Sequence, residues 1–271
     1  MDHVKAKFYA LGQAVARRLL KMDLILSPLP DSGHVPGELV ETYVPAVDLT
    51  MGLDLTESLD SCYAANAVDD VCIAFVRRYL DAIDFLVDVG ANQGFYTLLA
   101  LNESRSVNVV ALEPDPYSQR KLVNNLHLND LDESRLTLIG QAVGESAGAS
   151  ELMLNTAGNR AGSSVIVDQR QFTGTAANTT IAVETCTLEA VITSHVPGPW
   201  MLKMDIEGAE YPVLRRFFET AAPDKWPSYV VIEAFGRLIA QTGGSPLELL
   251  IAHQYSLIDH DSSNFCLVRR N

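Results

Sequence analysis

Three short acidic motifs, each closing an apolar run, hold the residues with the capacity for chemistry. The first is Asp88-Val89-Gly90-Ala91-Asn92-Gln93-Gly94, directly after Phe85–Val89. Gly90 permits a tight turn with close backbone approach, and Gly94 can open a helix against a bound ligand. Asp88, at the end of the run, is placed to hold the ammonium of an amino-acid tail. A carboxylate followed by G-x-x-x-G differs from the G-x-G-x-x-G that offers a helix terminus to a pyrophosphate. It is not a P-loop either, because no Gly-Lys-Ser/Thr follows. These residues suit a cofactor with an amino-acid tail and no phosphate, against the plainer reading of an ordinary strand–turn–helix corner.

The second motif is Ala111-Leu112-Glu113-Pro114-Asp115. Glu113 stands about 20 residues beyond Gly94, where an acid can accept both ribose hydroxyls of an adenosine. Its simpler role would be a charge at a helix N-terminus. Phe95 beside the first loop, and Gln141 with Ala142 after the third apolar run, complete the cofactor-side candidates; aromatics such as Phe95 also serve as core. The third motif is Lys203-Met204-Asp205-Ile206-Glu207-Gly208-Ala209-Glu210-Tyr211-Pro212. Pro212 suits the first turn of a helix, which leaves Asp205 to Glu210 as a loop. Asp205, Glu207 and Glu233, the last ending a further apolar run, are the candidates for the reacting end of the site.

These residues need a frame that brings strand ends together. The apolar runs Phe85–Val89, Val107–Leu112, Leu136–Ile139, Met201–Met204 and Tyr229–Ile232 are too short for helices. Helical patterns at 94–103, 116–128 and 212–220 alternate with them, which predicts an α/β fold with a doubly wound parallel sheet covered on both faces. In that order the first and fourth strands are neighbours where the winding reverses, and ligands bind beyond their carboxyl ends. The stretch 150–185 reads as an inserted hairpin or loop, and 254–270 as a closing antiparallel pair. Ahead of this, Val4, Phe8, Leu11, Val15 and Leu19 form one face of a helix over 3–22. Prolines mark 27–60 as loop or short extended pieces, and a second helix is expected from Ala67 to Ala82. Residues 1–80 are thus expected to form a helical and loop extension, a cap or an oligomerisation element, and 81–271 the main domain.

The composition narrows the partners. With 271 residues, a net charge of −14 and a pI near 4.7, the surface repels nucleic-acid backbones. Cys62, Cys72, Cys186 and Cys266 show no metal-like spacing and read as reduced thiols. No apolar run is long enough for a membrane span, and the N-terminus lacks a secretory signal pattern. A cytoplasmic protein acting on a small molecule is the expectation.

The sequence resembles the FkbM family of S-adenosylmethionine-dependent methyltransferases. The resemblance rests on DVGANQGFYTLLA (88–100), ALEPDP (111–116), NNLHLN (124–129), QAVGE (141–145), VETCTLEAVI (183–192), LKMDIEGAE (202–210) and VIEAFG (231–236). It implies a Rossmann-like class I fold, with a seven-stranded, mostly parallel sheet and an antiparallel C-terminal pair. It also implies S-adenosyl-L-methionine as cofactor and O-methylation of a sugar or secondary metabolite. By the same resemblance Asp88, Gly90, Asn92, Gly94 and Glu113 would hold the cofactor, and Asp205, Glu207 and Glu210 match the second acidic motif. Glu189 departs from the more usual Asp at its position. Residues 1–80 and the tail lie outside the match, and acceptor choice is expected there.

Methyl transfer needs nucleophile, methyl carbon and sulfur in line. A hydroxyl acceptor must also lose its proton. Asp205 or Glu233 could take it, with His253 and His260 as more distant candidates. Alternatively Asp205 and Glu233 could hold Mg²⁺, which would acidify the hydroxyl; the metal-free base is the preferred expectation. Two rivals are an inactive S-adenosylmethionine-binding partner subunit and a nicotinamide oxidoreductase, the second disfavoured by the glycine spacing. The N-terminal helix is expected to dock on the protein itself, on a second subunit or on a lipid-like acceptor, in that order.

Overall fold

The structure, a computed structural model, describes residues 38–155, 162–165, 178–234 and 243–270. The helix expected over 3–22 lies outside them. The chain forms two compact units, one ending at Val68 and the other starting at Asp69.

The first unit opens with the antiparallel strands β1 (Val40–Val44) and β2 (Leu49–Leu53) and continues into helix α1 (Ser58–Ala64). Asp54 shapes the entry to α1: its Oδ1 accepts from Thr56 N at 3.0 Å and from Thr56 Oγ1 at 2.6 Å. β1 and β2 are short extended pieces of the kind expected within 27–60, and the Asp54 turn leads into a helix that starts at Ser58, just inside that stretch.

The second unit starts with helix α2 (Asp70–Tyr79), which tightens into a 3₁₀ turn at Leu80–Ala82. Then strands and helices alternate: β3 (Phe85–Val89), α3 (Phe95–Glu103), β4 (Asn108–Leu112), α4 (Pro116–Leu128) and β5 (Leu136–Ile139). Helix α4 begins where it does because Asp115 accepts from Tyr117 N and Pro116 occupies the first turn. After β5 come the short β6 (Ala142–Val143), β7 (Gly148–Asn155), β8 (Asn178–Cys186) and α5 (Leu188–His195). The chain then runs through β9 (Trp200–Met204), α6 (Glu210–Thr220), β10 (Tyr229–Glu233), α7 (Pro246–Ala252), β11 (Tyr255–His260) and β12 (Asn264–Arg269).

Seven strands make the main sheet, in the order β11-β12-β10-β9-β3-β4-β5. Strands β5, β4, β3, β9 and β10 are parallel, while β12 joins β10 antiparallel and β11 closes the edge. This is the doubly wound order expected from the alternation of elements, and β3 and β9 are neighbours at the reversal point. The central strands are buried on both faces: all five residues of β9 are inaccessible or nearly so. Their apolar faces explain the continuous hydrophobic runs in the sequence. The inserted segment forms a separate sheet, β6-β8-β7, in which β7 and β8 pair antiparallel from Gly148↔Thr185 to Asn155↔Asn178. All four cysteines are free thiols.

Candidate active site

A cleft of about 590 Å³, its open mouth included, lies beyond the carboxyl ends of β3, β4, β5 and β9. Four sequence regions supply its walls. Val89, Gly90 and Asn92 come from the β3 loop, Leu112 to Asp115 from the end of β4, Gln141 to Val143 from the turn after β5, and Asp205 to Glu207 from the end of β9. The inserted sheet adds Leu152 and Ser163–Val165.

The β3 loop is fixed by backbone contacts that only a glycine allows. Gly90 has φ +79°, and a Cβ there would fall 1.9 Å from the carbonyl oxygen of Asp205. The loop therefore lies directly on the segment leaving β9, and Asp205 N donates to Val89 O at 3.0 Å. Glu113 locks the same loop from the other side: Oε2 accepts from Asn92 N and Oε1 from Asp115 N, each at 2.8 Å. Burial pushes its carboxyl up to about 7 despite these two donors.

The β9 loop is braced by Glu210 at the start of α6. Its Oε1 accepts from Ile206 N at 2.8 Å, and its Oε2 from Gly208 N at 3.0 Å. Glu210 is 5% exposed, and burial raises it to about 7. Its part is to hold the turn in which Glu207 takes the left-handed φ of 55°.

The loop carries the acids to one place. Ligand-type oxygens of Asp205, Glu207 and Glu233 all lie within 4.8 Å of one another. Behind them Lys203, 6% exposed, reaches Asp205 Oδ2 at 3.2 Å and lies 5.3 Å from the Tyr96 ring. For Asp205 burial works upward, but the Lys203 charge and hydrogen bonds from Glu233 and Lys203 outweigh it and hold the carboxyl below its ordinary value. Glu233 moves the other way, to about 11, through burial and the adjacent Asp205 charge. The two acids titrate as a pair: Lys203 and the contact with Glu233 hold Asp205 down, while burial and the contact with Asp205 push Glu233 up.

Not every expected residue meets in the cleft. Gly90, Asn92, Glu113, Gln141, Ala142, Asp205 and Glu207 line it, and Glu233 joins through Asp205. Asp88, Gly94 and Phe95 do not line it. Asp88 is 1% exposed and accepts from Thr97 Oγ1 at 2.7 Å, while its Oδ1 meets no hydrogen-bond partner among the described residues. Burial raises its carboxyl, and the Lys203 charge works against that rise. Gly94 packs on Leu122, with φ +92° at the start of α3, and Phe95 is buried. Of the histidines, His253 stacks on Phe218 and His260 stacks on Phe265. Leu152 and Ser163–Val165 were not marked by residue type; the one available signal was the break in strand–helix alternation over 150–185.

The family model for the FkbM methyltransferase domain matches residues 88–250, more than half of the chain. This chain belongs to the FkbM methyltransferase family. The matched span runs from Asp88 to the middle of α7 and contains every cleft residue named above. No curated protein matches. Among solved structures, an FkbM methyltransferase from Methylobacillus flagellatus is 22% identical, with a TM-score of 0.41, and the alignment covers 68% of this chain. The alignment takes in only 42% of that bacterial protein. An S-adenosylmethionine-dependent O-methyltransferase from Thermotoga maritima is 13% identical over 72% of this chain and 63% of its own, with a TM-score of 0.39. An SAH-bound methyltransferase from Podospora anserina is 8% identical over 73% and 77%, with a TM-score of 0.43. Outside the FkbM domain lie β1, β2, α1 and α2 at one end and β11 and β12 at the other.

Proposed function

We propose that the protein transfers a methyl group from S-adenosylmethionine to a hydroxyl of a sugar or secondary metabolite, with Asp205 as the proton acceptor. The observation that carries this reading is the acidic cluster at the cleft: carboxyl oxygens of Asp205, Glu207 and Glu233 lie within 4.8 Å of one another, with Lys203 Nζ 3.2 Å from Asp205 Oδ2.

The residues fit the cofactor. Four strand-end segments converge on the cleft, so one ligand there would meet Gly90, Glu113, Gln141 and Asp205. Each Glu113 oxygen accepts one backbone N–H, and a carboxylate has lone pairs for about four bonds, so two ribose hydroxyls can still be held. Gln141 and Ala142 would border the adenine. Gly90 and Asn92 would face the methionine part, and the acidic loop favours a cation there. Asp88 stands behind this wall, so it would act through the local field rather than by contact. When bound, S-adenosylmethionine supplies an electrophilic methyl group on a positively charged sulfur.

Asp205 is suited to accept a proton because its side chain remains 36% exposed while Lys203 keeps it ionised. With S-adenosylmethionine bound, the acceptor oxygen would bond to the methyl carbon as the sulfur–methyl bond breaks to leave S-adenosylhomocysteine, and the hydroxyl proton would pass to a carboxylate oxygen of Asp205. A second reading is favoured by the three carboxylates within 4.8 Å: Asp205, Glu207 and Glu233 would hold Mg²⁺, which lowers the pKa of a bound hydroxyl.

No helix among the described residues is long and apolar enough to cross a membrane. A small, dissolved acceptor in the cytoplasm fits this reading. The test is a screen of the purified protein with isotopically labelled S-adenosylmethionine against sugar and polyketide hydroxyls, beside calorimetric titration with S-adenosylmethionine and a nicotinamide cofactor. Label transfer to at least one hydroxyl and binding of the first cofactor alone are expected. Binding without transfer across the whole panel would favour an inactive binding subunit.

A further inference from the structure

Ser164 of the inserted segment hydrogen-bonds the acidic loop. Ser164 is 2% exposed and pairs with β7 by two backbone bonds, Met153 N to Ser164 O at 3.0 Å and Ser164 N to Met153 O at 3.1 Å. Its hydroxyl does something else: Ser164 Oγ donates to the carbonyl oxygen of Glu207 at 3.1 Å. Glu207 is the residue with φ +55°, in a region that L side chains adopt only when surroundings enforce it. Glu210 restrains the N–H groups on either side of it, at Ile206 and Gly208. Ser164 restrains the carbonyl. The turn is thus gripped from two elements far apart in sequence, and in it the Glu207 carboxyl meets Asp205 and Glu233.

We propose that Ser164 is a positioning residue for methyl transfer: it fixes the Glu207 turn and thereby couples the inserted sheet to the acidic cluster. The idea rests on the methyl-transfer reading above for its purpose, but not for its geometry. An alanine at 164 removes the hydroxyl and keeps both backbone bonds to Met153, so the insert should stay docked while the turn loosens. Threonine restores the hydroxyl.

The experiment compares wild type, Ser164→Ala and Ser164→Thr as full chains by amide hydrogen exchange, without ligand and with S-adenosylhomocysteine. In Ser164→Ala the Ile206 and Gly208 amides should exchange about threefold to tenfold faster, the range for loss of one hydrogen bond. The amides of β9 and of Met153 should keep their rates, and Ser164→Thr should return the loop to within twofold of wild type. With an acceptor taken from the screen, Ser164→Ala should lower kcat about tenfold and leave KM for S-adenosylmethionine within twofold, with Ser164→Thr recovering kcat. Unchanged loop exchange in Ser164→Ala, faster exchange spread evenly over the unit, or a threonine variant as loose as alanine would each overturn the proposal. Failure of the wild type to bind S-adenosylhomocysteine would count against methyl transfer instead, and would leave the ligand-free exchange result standing.

Discussion

Lys203 lies between two acids: its Nζ is 3.2 Å from Asp205 Oδ2, and its cross-strand neighbour on β3 is Asp88. Burial alone would lower the Lys203 pKa, but Asp205, Asp88 and Glu233 together raise it, so the ammonium stays charged. This one cation lowers Asp205 and opposes the rise that burial imposes on Asp88 and Glu233.

Lys203→Met is expected to destabilise the protein toward the lower end of the roughly 3–5 kcal/mol seen when a buried ion pair loses one partner, because Asp205 keeps 36% exposure. Removing the cation also lets Asp205 rise, so the acid limb of the activity profile should move to higher pH. Chemical denaturation and a pH–rate profile check both effects. A variant with wild-type stability and an unmoved acid limb would show that Lys203 does not govern the cluster.

Glu113 and Glu210 give the ligand-free protein a pH dependence of defined sign. Both have folded-state values near 7, above the ordinary 4.5. The folded state therefore binds more protons than the unfolded state between about 4.5 and 7, and stability is highest below this window and declines as pH rises through it. For each group the decline is at most about 3.5 kcal/mol, at roughly 1.4 kcal/mol for each pH unit between 4.5 and 7. Glu113→Gln should flatten part of that slope in thermal scans between pH 5 and 8.

Cofactor affinity follows from the same residue. If Glu113 holds the ribose, Glu113→Ala should weaken S-adenosylhomocysteine binding by about 1.5–3 kcal/mol, the range for hydrogen bonds to a charged group. Wild-type affinity should itself improve from pH 6 to 8 as the carboxylate ionises. A calorimetric titration indifferent to both changes would remove Glu113 from the cofactor site.

Much of this was readable in the residues, for physical reasons. Strands β3, β4, β9 and β10 are largely buried, so their runs are mostly apolar, and their ends are marked by Asp88, Glu113, Asp205 and Glu233. The reversal point followed from the alternation of elements, and it placed the β3 and β9 loops side by side. Less legible was anything set by packing between distant segments. The buried position of Asp88 depends on Thr97 in α3 and Lys203 in β9. Ser164 reaches Glu207 across 43 positions of sequence, from a segment with no periodic pattern. The role of Glu210 was ambiguous because a first-turn acid at a helix start also suits the helix dipole.

Gly90 offers a steric test of the junction between the two loops. Its φ of +79° and the 1.9 Å approach of an added Cβ to Asp205 O mean that alanine must push the β3 and β9 loops apart. Backbone cannot yield as a flexible side chain would. Gly90→Ala should lose S-adenosylhomocysteine binding and cost about 1–3 kcal/mol or more of stability. Retention of tight binding would mean that the two loops are not mutually fixed.

Asp205 distinguishes the two chemical readings. As the base, it supplies about 10²–10⁴-fold in rate, the usual worth of a positioned proton acceptor. Asp205→Asn keeps the shape of the side chain and removes that capacity, so turnover should fall by this factor. Cofactor affinity should change little, because the ribose contact is assigned to Glu113 at the end of β4 rather than to the Asp205 side chain. The expected companion result is that EDTA leaves wild-type turnover intact. Under the Mg²⁺ reading, EDTA abolishes wild-type turnover, added Mg²⁺ restores it, and Asp205→Asn and Glu233→Gln both weaken the response to metal. Glu233→Gln separates them further: a neutral glutamine resembles the protonated Glu233 of the base reading and should retain most activity, whereas a metal site loses a charged ligand. Normal turnover of Asp205→Asn with and without chelator would sink both readings and leave Asp205 as an anchor for the loop.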